Sequence, residues 1–416
     1  MSLPGLKTDL HILFITDNFP PEGNAPATRT FEHTREWVDK GHKVTVITCA
    51  PNFPEGKVFE GYKNKWLSKQ IIEGINVWRV KTYITANEGF IKRTIDFISF
   101  MLSSLLFGLF TRKVDVVIGT SPQFFTVISA WALAKFKRIP FVFELRDIWP
   151  ASITAVGAMR GSWIINILEK LELFLYRQAD LIISVTHSFK SSLKNRGVSA
   201  NKIKIVLNGV DLERYSPLQE KDESLATKYE LKNKFVIGYI GTHGLAHALE
   251  NVIEAAERII KEENIRIVFA GGGADWSRLE KIVCERGLEN IVMIPRQPKD
   301  KMPQVWSLCD ISLVHLKDAP LFKTVIPSKI FESMAMGLPI IIAVPIGEAT
   351  NIIEEYMAGI SVSPGCPTEL SEKFLELAKD KELVRKLSNQ SLNAAQNFDR
   401  KKLALEMLKY IKDVVS

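Results

Sequence analysis

Short apolar runs recur along the chain. Each is stopped by a turn rich in glycine, proline or asparagine, and each is followed by a stretch with helical spacing. The first is Leu10-His11-Ile12-Leu13-Phe14-Ile15, ended by Asp17-Asn18 and Pro20-Pro21. A helical pattern then runs from Ala27 to Lys40, and Gly41 closes it as a C-terminal cap. Val44 to Thr48 follows as a β-branched run. Val114 to Gly119, Pro140 to Leu145, Leu181 to Val185 and Ile203 to Leu207 complete a first series of buried strands. The stretch from Asp211 to Lys234 is charged, lacks long apolar runs and reads as a linker. A second series opens with Phe235 to Ile240, a glycine turn and a helix from about Ala246 to Lys261. It continues with strands at Ile265 to Ala270, Ile291 to Ile294, Ile311 to His315 and Pro339 to Val344. Strands alternating with helices predict βαβ units and parallel sheets covered on both faces. With 416 residues there is chain enough for two cores. The expected fold class is therefore α/β: two doubly wound, Rossmann-like domains facing across a cleft. Their ranges are 1–212 and 213–400, and a C-terminal helix at 401–416 is expected to cross back onto the first domain.

One segment departs from this rhythm. Thr94 to Phe110 is rich in Phe, Ile, Leu and Met and is flanked by Lys92-Arg93 and Arg112-Lys113. It is short for a membrane span. Two readings stand beside each other: a buried domain helix, or an interfacial helix through 90–113 with basic flanks on anionic lipid and Phe97, Phe100 and Met101 in the headgroup layer. The net charge of +7 suits the second without requiring it. No basic stripe interleaved with aromatics suggests nucleic acid. Cys49, Cys284, Cys309 and Cys366 are scattered, with neither a CxxC pair nor a neighbouring histidine cluster. A zinc site and a disulfide framework are therefore not expected, and a reducing cytoplasm is. Met1 to Asp9 is polar and lacks the pattern of a secretory signal.

In open parallel sheets, ligands bind at the carboxyl ends of strands. After the first strand come Gly23 and Asn24, small residues just before a helix start, where a backbone can approach a phosphate. After the Pro140 strand comes Arg146-Asp147-Ile148-Trp149-Pro150. A charge pair there is costly to bury idly, which makes Asp147 a candidate acid, base or charge stabiliser. After the first strand of the second half comes Gly241-Thr242-His243-Gly244, where His243 could donate to a phosphate. The strongest constellation is Pro327-Ser328-Lys329-Ile330-Phe331-Glu332, a short helix closed by Gly337. Ser328 reads as its N-cap. Lys329 lies in the first turn, where a cation is unfavourable unless an anion is there. Glu332, three residues on, projects from a similar face. A lysine can neutralise a diphosphate, and a carboxylate can accept two hydrogen bonds from a ribose diol.

These residues resemble the nucleotide-binding motif of family 4 glycosyltransferases. The resemblance extends through Gly347-Glu348-Ala349, Gly41-His42-Lys43-Val44-Thr45-Val46, Ala179-Asp180-Leu181-Ile182, Asn208-Gly209-Val210-Asp211 and Ala270-Gly271-Gly272-Gly273. The Arg146–Pro150 run and Pro327-Ser328-Lys329 resemble the bacterial subgroup that builds O-antigen, capsule and colanic-acid-type polysaccharide. The resemblance implies the GT-B fold, an acceptor-binding first domain and a second domain that binds a nucleotide sugar. It implies transfer with retention of configuration, no metal and no cofactor beyond the donor itself, with UDP as the default nucleotide. It also implies a lipid-linked saccharide acceptor and a peripheral place at the inner face of the cytoplasmic membrane. An N-acetylated hexosamine or 6-deoxyhexosamine is the sugar the subgroup suggests.

Two departures stand out. The family's paired-glutamate motif places its first glutamate at Thr324, and the usual diphosphate cations fall at Thr242 and His247. Lys329 is the replacement candidate, with Lys323 and Arg296 behind it. The expected site is thus Asp147, Lys329 and Glu332 as catalytic groups, with Gly23, Asn24, Gly241, Thr242, His243, Arg296, Lys323 and Ser328 around the donor. Two other readings remain on this fold: a nucleotide-sugar 2-epimerase, or a degenerate, non-catalytic nucleotide-sugar-binding subunit.

Overall fold

A computed structural model describes residues 9–53, 55–85, 90–148 and 163–416. The chain divides into two compact units, one of residues up to 207 together with 400–416, the other of 208–399. The boundary expected at 212/213 moves to 207/208. Val210 is the reason: its amide donates to Phe398 O at 2.9 Å, and it forms a parallel bridge with Asp399.

The first unit carries β1 His11–Ile15, β2 Lys43–Cys49, β3 Leu67–Ile72, β4 Ile75–Val80, β5 Val116–Thr120, β6 Phe141–Leu145, β7 Leu181–Ser184 and β8 Ile203–Ile205. They form one sheet in the order β3-β4-β2-β1-β5-β6-β7-β8. All its pairs are parallel except the β3–β4 hairpin at the edge. The order reverses between β1 and β5. Buried runs such as Ile12, Leu13, Phe14 and Ile15 are at most 1% exposed, as expected when helices cover both faces. Each such side chain contributes about 1.5–3 kcal/mol by leaving water. The C-terminal helix Arg400–Val415 belongs here, with Ala404, Met407, Leu408 and Ile411 forming its buried stripe. It lies on the first helix, Ala25–Asp39, where Trp37 Nε1 donates to Ala404 O at 2.8 Å.

The second unit carries β9 Phe235–Thr242, β10 Ile265–Gly272, β11 Ile291–Pro295, β12 Ile311–His315, β13 Ile340–Ala343 and β14 Gly359–Val362. The order is β11-β10-β9-β12-β13-β14, all parallel, reversing between β9 and β12. The charged stretch from Asp211 to Lys234, read from sequence as a linker, is part of this unit. It contains the helix Glu223–Lys228, capped by Asp222, and Lys221 pairs with Asp310 at 2.7 Å.

The apolar segment forms a helix, Phe90–Leu109, packed on the helix Phe124–Lys137. Phe100 is 1% exposed and Ser104 Oγ bonds Ser129 Oγ at 3.0 Å, so this face is core. Ile95, Leu102, Leu106 and the following Phe110 face water. Phe100 is therefore not a lipid-facing residue. No described helix is long and apolar enough to cross a membrane.

Candidate active site

The loops that follow β9 and β12 flank the point where the second sheet's strand order reverses, the position at which doubly wound sheets bind ligands. Residues from both meet at Lys329. This lysine opens the helix Lys329–Ala335, and its Nζ is buried although the residue as a whole keeps partial exposure. Nζ has no hydrogen-bond partner and lies 3.4 Å from the centroid of the Tyr239 ring. Tyr239 and Gly241 sit two apart on β9 and so face the same side. Gly241 has φ +135°, and a Cβ there would stand 3.1 Å from Nζ. The glycine thus both turns the chain and leaves room for the amine.

Three of the chain's seven histidines gather around that amine. Burial first, and then the charge of Lys329, hold His243 and His247 at about 4. Burial holds His315 at about 4 as well, with Lys329 acting in the same direction. All three are neutral imidazoles at neutral pH. His315 Nδ1 meets His247 O at 2.7 Å, and His243 Nδ1 meets Gly241 O at 3.0 Å. Burial also holds the Lys329 amine down at about 7, opposed by the Glu332 carboxylate one turn on.

The other residues expected here fall into place around this centre. Thr242 is exposed, and its carbonyl accepts from the Tyr239 hydroxyl at 2.7 Å. Arg296 is exposed just beyond β11, and a Cβ on Gly272 would lie 4.0 Å from the Arg296 Cβ. Lys323 is exposed on the 3-10 turn Pro320–Thr324. Thr324 spends its hydroxyl on Leu321 O at 3.0 Å, within its own turn.

The His243 ring is buried against Tyr239, Phe269 and Trp276, and its Nε2 has no hydrogen-bond partner. One expectation is corrected. Ser328 has helical φ and ψ and makes no capping bond, since a cap's side chain reaches back only from an extended backbone. Tyr239, His247 and His315 were not anticipated as a group. A tyrosine inside a strand reads as core, and the only hint was its two-residue spacing from Gly241.

The first unit holds Gly23, Asn24 and Asp147. Gly23 has open space where a Cβ would stand. Asn24 is the N-cap of the first helix, with Oδ1 accepting from Ala27 N at 2.9 Å and its amide donating to Asn18. That side chain is committed to the helix start, which leaves Gly23 as the open point of the turn. The amides of Arg146 and Asp147 donate to Ser121 Oγ at 2.8 and 3.1 Å, fastening the loop after β6 to the loop after β5. Arg146 Nη1 donates to Pro26 O at 3.3 Å, tying in the start of the first helix. Trp149 and Pro150 lie outside the described residues. Beneath these loops, Arg29 and Glu144 form an ion pair at 2.9 Å with side chains 2% and 1% exposed. Arg29 also donates to Leu207 O and Val206 O.

The chain matches two family models in succession: Glycosyltransferase Family 4 over residues 27–214 and Glycosyl transferases group 1 over residues 220–394. WcaI of Escherichia coli (strain K12), named for colanic acid biosynthesis, is 28% identical over 360 residues, 85% of this chain and 88% of WcaI. WbjE of Pseudomonas aeruginosa, named as a glycosyltransferase, is 24% identical over 272 residues, 64% of this chain and 67% of WbjE. Among solved structures, Anabaena Alr3699/HepE in complex with UDP superposes with a TM-score of 0.72 at 17% identity, covering 97% of this chain and all of that one. Two Rossmann-like units in this order, matched by both models and by the solved fold, identify the chain as a GT-B glycosyltransferase with family 4 and group 1 domains.

Proposed function

We propose that this glycosyltransferase moves a sugar from a UDP-linked donor to a lipid-linked saccharide, with retention of configuration, during assembly of a bacterial surface polysaccharide. The observation that carries the reading is the buried, unbonded Lys329 amine beside Gly241 at the reversal point of the second sheet. A buried amine with no hydrogen-bond partner is an incomplete site, and a diphosphate completes it. The UDP bound to HepE and the colanic acid role in WcaI's name support the nucleotide and the pathway class.

In this reading Lys329 neutralises the diphosphate as it leaves, and Glu332 accepts the ribose hydroxyls. Asp147 acts near the acceptor hydroxyl or stabilises the oxocarbenium-like sugar. Gly23 lets the backbone approach phosphate, with Arg296 and Lys323 supplying outer positive charge. The chemistry needs no metal. The transferred sugar is an N-acetylated hexosamine or a 6-deoxyhexosamine, by analogy with the polysaccharide subgroup. The helix Phe90–Leu109 rests on the cytoplasmic leaflet through Ile95, Leu102, Leu106 and Phe110, with Lys92, Arg93, Arg112 and Lys113 at its ends.

The test is turnover of a panel of nucleotide sugars with EDTA present, with and without a polyprenyl-diphosphate-linked monosaccharide. Acceptor-dependent UDP release and a product of the donor's own anomeric configuration are expected. Conversion of the donor without any acceptor would point to a 2-epimerase. Nucleotide binding without turnover of any donor would mark a binding subunit.

A further inference from the structure

The box around Lys329 is built for a charge it does not hold when empty. Its Nζ is stripped of water and bonded to nothing, yet it lies 3.4 Å from the Tyr239 ring centroid, whose π-face favours a cation. The groups that face it come from every element packed there: Tyr239 on β9, His243 and His247 after it, His315 at the end of β12 and Glu332 on its own helix. The three histidines bring no positive charge, and Glu332 is the carboxylate whose charge acts on the amine. Glu332 alone does not offset the cost of burying an ammonium. A diphosphate adds at least two negative charges and several acceptor oxygens at once, enough to reverse the balance.

We propose, on the reading that Lys329 holds the donor's diphosphate, that the site takes up a nucleoside diphosphate together with one proton from solvent. Above pH 7 the empty site holds mainly a neutral amine, and the occupied site holds an ammonium. The amine nitrogen's lone pair accepts the proton, and its N–H groups then donate to phosphate oxygens. The arrangement favours ligands with enough charge to draw the proton in, so a diphosphate is held and an uncharged nucleoside is discriminated against. Once the sugar has been transferred, the proton and the nucleoside diphosphate leave together.

The sign follows from linkage. The free amine titrates at about 7 and the liganded one higher. Binding therefore takes up a proton above pH 7, and affinity weakens as pH rises through that window. His243, His247 and His315, held at about 4, contribute nothing there. The Tyr239 hydroxyl, pushed well above its usual value by burial, contributes nothing either. The diphosphate of UDP is already fully ionised at pH 8.0 and above, so its phosphate oxygens contribute no proton there.

The experiment is calorimetric titration of UDP into the full chain at pH 8.0 and 9.0, in buffers of different ionisation enthalpy. The expected result is an uptake close to one proton per UDP at pH 8.0 and a Kd about tenfold weaker at pH 9.0. In Lys329→Met, and in Lys329→Gln as a second variant, UDP binding weakens at least tenfold and the proton uptake vanishes. Tight wild-type binding with no buffer dependence and no pH dependence overturns the proton coupling but leaves the donor site standing. Proton uptake unchanged in both variants overturns the assignment to Lys329. No wild-type binding at millimolar UDP overturns the donor-site reading and the coupling with it. The wild-type titration decides the coupling even if a variant fails to fold.

Discussion

The two units follow the same βα logic but treat buried charge in opposite ways. In the first, Arg29 meets Glu144 and two backbone carbonyls, and Arg400 meets Glu32. These cations have partners: Arg29 pins the first helix to strand ends, and Arg400 pins the C-terminal helix to that same helix. In the second, the buried Lys329 amine meets an aromatic face, a glycine and neutral histidines. A satisfied buried pair is architecture, whereas a buried amine whose nitrogen has no hydrogen bond is, on the proposed reading, a receptor for something the chain does not contain. On the reading proposed above, this difference is what assigns the donor's diphosphate to the second unit.

Breaking a scaffold pair should have the largest effect. Arg29→Ala leaves Glu144 charged and buried, and should lower the stability of the first unit by about 3–5 kcal/mol in chemical unfolding. Lys329→Ala should do the reverse. Turnover should fall at least ~100-fold, about 2.7 kcal/mol at the transition state, while the melting temperature stays within a few degrees. A large loss of stability in Lys329→Ala with turnover intact would erase the contrast between the units.

The helix Phe90–Leu109 offers the same kind of contrast on one element. Leu102, Leu106 and Phe110, changed together to serine, should weaken binding to anionic liposomes at least ~tenfold with the fold intact. Phe100→Ser should instead unfold the first unit, because that ring is core. Liposome binding unaffected by the triple change would remove the membrane reading. The smallest effect is a slope. The Lys329 amine titrates at about 7 in the folded chain and in its ordinary range when unfolded, so the unfolded chain binds more protons between those values. Stability without ligand therefore rises with pH across that window. The thermal stability of wild type should gain on that of Lys329→Met between pH 7 and 9.5, as melting curves of the two would show.

Much of this was legible in the sequence. The central parallel strands are near-continuous apolar runs because both faces are covered, and such runs stand out. The edge elements did not. β3 and β4 form a hairpin through Glu73-Gly74, both at positive φ, and the polar residues of β3 mask its periodicity. β14 is four residues long and begins with glycine. The orientation of the helix Phe90–Leu109 could not be read either, since it is apolar on most sides and its pattern does not say which side is core. Lys329 was legible because a cation in a helix's first turn is a local anomaly. Glu332 and the His247 position were legible beside it, but Tyr239 and His315 were not, because His315 reaches the site only when β12 becomes the neighbour of β9.

The most direct test of the donor site is a melting curve with and without UDP, run in EDTA, on wild type and on Lys329→Met. A rise of several degrees in wild type, lost in the variant, is the predicted result. Equal rises in both proteins, or none in wild type, would contradict the assignment of the donor's diphosphate to Lys329.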